Sequence, residues 1–214
     1  MKYAIGLFGI HYQKHMYHWM PNWVVNVNYK NVIDNNQRFL YGNLNSSFYS
    51  STYFSEKTSD LICDFKFRKL QLTEFINEKE NYLPNRWIKR NLRLRETIKL
   101  ILDDTEQYDF VILTRFDLIF KKNIFEYSFN NDKINLICKS YWNNEDDLAD
   151  DNFYFMKFDL LQEFYDNLLT IPLNVFSHHY NRYITNFHYL IDKSFYNNNI
   201  PAYKIDREYT SVQF

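Results

Sequence analysis

The apolar run Phe110-Val111-Ile112-Leu113 constrains this chain most. It is bounded by Asp109 and followed at once by Thr114-Arg115-Phe116-Asp117. Consecutive apolar residues at strand length read as a strand buried on both faces, the kind found in parallel sheets covered by helices. Tyr3-Ala4-Ile5-Gly6-Leu7-Phe8-Gly9-Ile10 is a second such run. It ends in small residues, so it delivers a loop containing Gly9 to the sheet edge.

Helical patterns lie between these runs. Asn31 to Tyr41 reads as a helix stopped by Gly42, Glu56 to Phe65 as a second, and Asn85 to Glu106 as the strongest. In the last, Ile88, Leu92, Leu94, Ile98, Ile101 and Leu102 recur near helical spacing. Ser47 to Phe54 suits a strand rich in Tyr, Thr and Ser. Further on, Ile134 to Cys138 reads as a strand core, Ser140 to Asp151 as a polar loop, Asn152 to Phe158 as a strand and Asp159 to Leu169 as its helix. Ala202 to Ile205 is a last strand. This alternation predicts an α/β fold: one Rossmann-like domain over residues 1–214, with a central, mostly parallel sheet flanked by helices.

Composition narrows the function. Three glycines leave no G-x-G-x-x-G and no P-loop, so any bound diphosphate must be held by other groups. A net charge of −1 supplies no basic field for nucleic acid, and none is expected as a partner. No apolar run approaches the roughly 20 residues of a membrane span. Residues 1–10 lack the marks of a signal peptide. Cys63 and Cys138 have neither disulfide-framework nor metal spacing, which fits a reducing, cytoplasmic compartment. The abundance of Asn, Tyr, Phe, Lys and Ile reflects AT-rich codons more than an aromatic binding surface.

Ligands of open α/β sheets bind beyond the carboxyl ends of the strands. Arg115 and Asp117 stand there, on one side if the strand continues extended. The guanidinium suits phosphate oxygens and the carboxylate suits Mn²⁺ or Mg²⁺. A simple surface ion pair is the other reading. The helix over 85–106 carries a basic face, Arg95 included, which is either solvated or lends a cation to a phosphate. His11, His15 and His18 follow the first strand at a spacing that would place them on one helical face. Tyr53 is a candidate to stack on a nucleotide base.

The stretch Tyr108-Asp109-Phe110-Val111-Ile112-Leu113-Thr114-Arg115-Phe116-Asp117-Leu118 resembles the "YDxVIxTRFDL" signature of small GT-A-type glycosyltransferases, found in large DNA viruses and bacterial surface-polysaccharide loci. Asp150-Asp151-Asn152-Phe153-Tyr154-Phe155-Met156 resembles their "DDNFYxM" segment. Ser51-Thr52-Tyr53 resembles the end of an early strand, and Ser177-His178-His179 a later "SHH"-like site. The resemblance implies transfer of a sugar from a UDP- or GDP-linked donor to a glycan or other hydroxyl acceptor. It implies a donor site of Arg115, Gly9, Thr52, Tyr53 and Arg95. It places Asp117 and His178 on a Mn²⁺ or Mg²⁺ ion, with Arg115 standing where the family's D-x-D motif has its first Asp. Asp150 or Asp151 would be the base, and Asp151 is favoured. A catalytically inactive relative that binds a glycan or a sugar nucleotide without transferring it is the alternative.

Overall fold

A computed structural model of the chain describes residues 1–17, 24–74, 84–116, 118, 120, 122–138, 149–175, 184, 186–190 and 203–205. In chain order the elements are β1 (Lys2–Phe8), β2 (Tyr12–Tyr17), β3 (Val24–Asn28), α1 (Ile33–Asn36, continued by a π-turn over Gln37–Tyr41), β4 (Asn45–Tyr53), α2 (Thr58–Phe65) and β5 (Lys69–Thr73). Then come α3 (Pro84–Leu102), β6 (Phe110–Arg115), β7 (Ile134–Cys138), β8 (Ala149–Lys157), α4 (Leu161–Thr170), β9 (Phe187–Leu190) and β10 (Tyr203–Ile205).

The fold is α/β. Seven strands form one sheet in the order β5-β4-β1-β6-β8-β7-β9, and a smaller sheet pairs β10-β3-β2. In the large sheet β1 lies parallel to β4 and β6, β4 to β5, and β7 to β9. β8 runs antiparallel to both its neighbours. Two apolar layers explain the continuous runs of the sequence. Ala4, Phe8, Val111, Leu113, Tyr154 and Met156 pack with Leu94, Ile98 and Ile101 of α3 and Leu161, Phe164 and Leu168 of α4. Tyr3, Ile5, Leu7, Ile112, Phe153 and Phe155 pack on the opposite face, with Leu61 and Phe65 of α2. Alternate residues of each strand thus serve opposite layers, which needs apolar residues at every position.

Gly6 sets how closely α3 approaches β1. A Cβ there would stand 2.6 Å from Leu113 Cδ2 and 2.8 Å from Thr97 Cγ2.

Several expectations are corrected. Residues 149–151 belong to β8 and not to the preceding loop. α3 ends at Leu102, short of Glu106, because Asp104 turns away to take a bidentate bond from Arg68. His15 lies in β2, so His11 and His15 do not share a helical face. The last strand expected near 202–205 is present over 203–205, where it pairs with β3 in the small sheet. The β2–β3 hairpin, β5 and β9 were not expected from the sequence.

No helix among the described residues is long and apolar enough to cross a membrane.

Candidate functional site

The chain leaves β1 for β4 on one side, and β6 lies on the other side of β1. The strand order therefore reverses between β1 and β6, and open α/β sheets hold ligands outside the carboxyl ends at such a point. Register shows what gathers there. Phe8 pairs with Ser51 of β4 and Arg115 of β6. Thr114 pairs with Phe153, so the antiparallel β8 brings its amino end to this edge. Gly9 just past β1, Thr52 of β4, Arg115 of β6, and Asp150 and Asp151 of β8 thus come to one margin of the sheet.

The β7–β8 ladder slips within this margin. Leu136 pairs with Tyr154, but Ile137 pairs with Asp150, so residues 151–153 intervene on β8 alone. Extra residues of this kind break the ladder and re-aim the strand, and they recur beside active sites. The Asp151-Asn152-Phe153 segment is that irregularity. Asp117 and His178 lie outside the described residues, as does His18.

The loop after β1 is held by a buried relay. Gly9, at φ 95°, adopts a backbone form that side chains disfavour, and its carbonyl accepts from Thr52 Oγ1 at 2.7 Å. His11 Nδ1 lies 2.9 Å from the same Oγ1, and its Nε2 lies 2.8 Å from Ser55 Oγ. Lys57 N donates to Ser55 Oγ at 3.1 Å as α2 begins. His11 is fully buried, and that burial lowers its pKa to about 4, so the ring is neutral near pH 7. Its edge meets the Phe116 ring at 5.8 Å, directly after Arg115. Phe116 is itself buried, so β6 turns inward at its exit.

Tyr53 and Arg95 are committed elsewhere. Tyr53 is only 6% exposed, and Arg93 lies over its ring at 5.2 Å. Burial pushes its phenol up to about 12. The ring is packed among core residues, beneath Arg93. Its neighbour Phe54 is 63% exposed, with its backbone pinned by a 2.8 Å bond to the Thr73 carbonyl. Arg95 donates to the carbonyls of Leu168 and Ile171 at the end of α4, where a cation interacts favourably with the last carbonyls. Arg93, two residues earlier on α3 and turned to the other side of the helix, pairs with Glu96 at 2.9 Å and bonds Thr73. Glu96 also accepts from Ser51 Oγ at 2.6 Å, so these groups tie α3 to the ends of β4 and β5.

The segment after β6 is held from the other layer. Asn35 Nδ2 donates to the Phe120 carbonyl and Asn35 Oδ1 accepts from Phe120 N, both at 2.7 Å. Neither this clamp nor the His11 relay was read from the sequence.

Among the described residues no group of three or more His, Cys, Asp or Glu side chains is placed to hold a metal ion. Asp150 and Asp151, residue types whose carboxylates suit Mg²⁺ or Mn²⁺, occupy backbone positions of β8 at this margin. No protein-family model matches the chain, and no curated protein matches it.

Proposed function

We propose that the chain is a glycosyltransferase that moves a sugar from a UDP- or GDP-linked donor to a hydroxyl of a glycan acceptor. One observation carries this reading: an arginine from β6 and a pair of aspartates from β8 share the sheet margin at the switch point. These are the segments whose sequences resemble GT-A-type enzymes.

The chemistry assigns the roles. Arg115 grips the donor diphosphate, since its fork matches phosphate oxygens and its charge offsets the charge that grows on the leaving group. Gly9 and Thr52 shape the loop that faces the nucleotide. The exposed Phe54 ring, in place of Tyr53, offers a face to the base. In an inverting transfer, Asp151 takes the proton of the acceptor hydroxyl. The acceptor oxygen then bonds to the anomeric carbon, the bond to the diphosphate breaks, and the nucleoside diphosphate leaves. Asp150 is the alternative base. Asp117, with His178, is assigned to a Mn²⁺ or Mg²⁺ ion, which would share the neutralisation of the diphosphate. A cytoplasmic setting, in a host cell if the chain is viral, suits the exposed free thiol of Cys63.

The test is release of nucleoside diphosphate from UDP- and GDP-sugars, with and without Mn²⁺. A catalyst shows slow donor hydrolysis, which Asp117→Ala abolishes without loss of fold. Donor binding with no hydrolysis under any condition would support a binding protein instead. An active Asp117→Ala variant would remove Asp117 from the mechanism.

A further inference from the structure

We propose that His11 is the positioning residue of the donor site, holding the loop after β1, the end of β4, the entry to α2 and the exit of β6 in one arrangement. The inference rests on the donor-site reading above.

The direction of each hydrogen bond is settled by counting protons. Thr52 Oγ1 has a single hydrogen and gives it to the Gly9 carbonyl. The imidazole therefore donates to Thr52, which places the ring proton on Nδ1. Nε2 then carries a lone pair and accepts from Ser55 Oγ. Ser55 Oγ in turn accepts from Lys57 N. The relay runs one way, from Lys57 at the N-cap of α2 through Ser55, His11 and Thr52 to Gly9. Each member is satisfied in this tautomer, and in the other tautomer His11 Nδ1 and Thr52 Oγ1 would face each other without a proton between them.

The location matters as much as the chemistry. His11 is fully buried, its own carbonyl accepts from Tyr29 N at 2.9 Å, and its ring packs edge-on against Phe116. Phe116 is covalently joined to Arg115. A shift of this ring moves Gly9 through Thr52 and moves the β6 exit through Phe116. Both flank the switch point. His11 reaches no ligand itself; it acts through these neighbours.

The experiment compares full-length wild type, His11→Phe and His11→Asn by titration with UDP and with GDP in the presence of Mn²⁺. Phenylalanine fills the space and breaks both bonds. Asparagine keeps a donor near the position of Nδ1. Binding to His11→Phe is expected to weaken by roughly tenfold or more, since misplacing binding groups by about 1 Å carries penalties of that order. His11→Asn is expected to recover most of the loss. Equal affinity for wild type and His11→Phe, with only the melting temperature of the free protein lowered, would show a purely structural role and overturn the proposal.

A long-range proton–nitrogen NMR correlation of wild-type His11 gives a second readout that needs no variant to fold. A proton on Nδ1 supports the relay, and a proton on Nε2 overturns it. A wild type that binds neither UDP nor GDP, yet shows the Nδ1 proton, would instead defeat the donor-site reading.

Discussion

Asn35 and Phe120, 85 residues apart, form a two-bond pair in which a side-chain amide takes the place of a neighbouring strand. The amide satisfies the Phe120 N–H and C=O together, where the chain has left β6 and has no ladder to join. The short α1 thereby anchors Phe120, a few residues past the end of β6.

Asn35→Leu keeps much of the volume but removes both partners from a part-buried backbone. Each lost bond costs about 1–3 kcal/mol when a buried group is left unsatisfied, so a total loss of about 2–6 kcal/mol is expected. Urea denaturation at neutral pH measures it. A loss below about 0.5 kcal/mol would mean that the backbone finds other partners.

His11 predicts a particular pH dependence. Its pKa falls from 6.5 unfolded to about 4 folded, so the unfolded chain binds more protons between those values. Stability is therefore full above about pH 6.5 and is lost as pH falls toward 4. The drop is about 3 kcal/mol. A separate decline follows at lower pH, where the Arg68 guanidinium beside Asp104 holds that carboxyl well below its usual value. Denaturation midpoints between pH 4 and 7, compared with His11→Phe, resolve the two. An unchanged slope in the variant would assign the effect to other groups.

Much of this architecture was legible, for a definite reason. β1 and β6 are buried on both faces, so their sequences are apolar without interruption, and Gly6 completes the contact with α3. Residues 12–17 read Tyr-Gln-Lys-His-Met-Tyr and carry no such signal, because β2 pairs with β3 outside the central sheet. β5 is an edge strand of five residues flanked by Arg68 and Glu74, too short and too polar to stand out. Asp150 and Asp151 read as loop because two acids are poor strand residues, and only the ladder shows them beside Ile137 and the slipped register. The His11 relay was hidden because its partners lie 41 and 44 residues away.

The two glycines near this edge respond differently to the same substitution. At Gly6, alanine meets Leu113 and Thr97 at sub-contact distance in a packed core, and a loss of about 1–3 kcal/mol is expected. At Gly9, a Cβ meets no atom within 4 Å, but the positive φ remains unfavourable. A loss of about 1–2 kcal/mol is expected there. Thermal unfolding of both variants checks this, and a neutral Gly6→Ala would show that α3 can retreat freely.

Tyr53 and Phe54 separate stability from binding. Tyr53→Ala opens the core and should cost about 3–5 kcal/mol. Phe54→Ala should leave stability within about 0.5 kcal/mol. Stacking of a base on an aromatic ring is worth about 1–3 kcal/mol, so nucleotide affinity should fall by roughly five- to hundredfold in Phe54→Ala. Calorimetry with UDP and GDP decides the point, and unchanged affinity would exclude the ring from the site.

The most direct measurement titrates UDP- and GDP-sugars, with Mn²⁺, into wild type and Arg115→Ala. The account predicts saturable binding to wild type. It predicts binding weakened roughly ten- to hundredfold in the variant at little change in melting temperature, the range expected for lost charged hydrogen bonds. Equal affinity for the two proteins, or no binding by wild type, would contradict it.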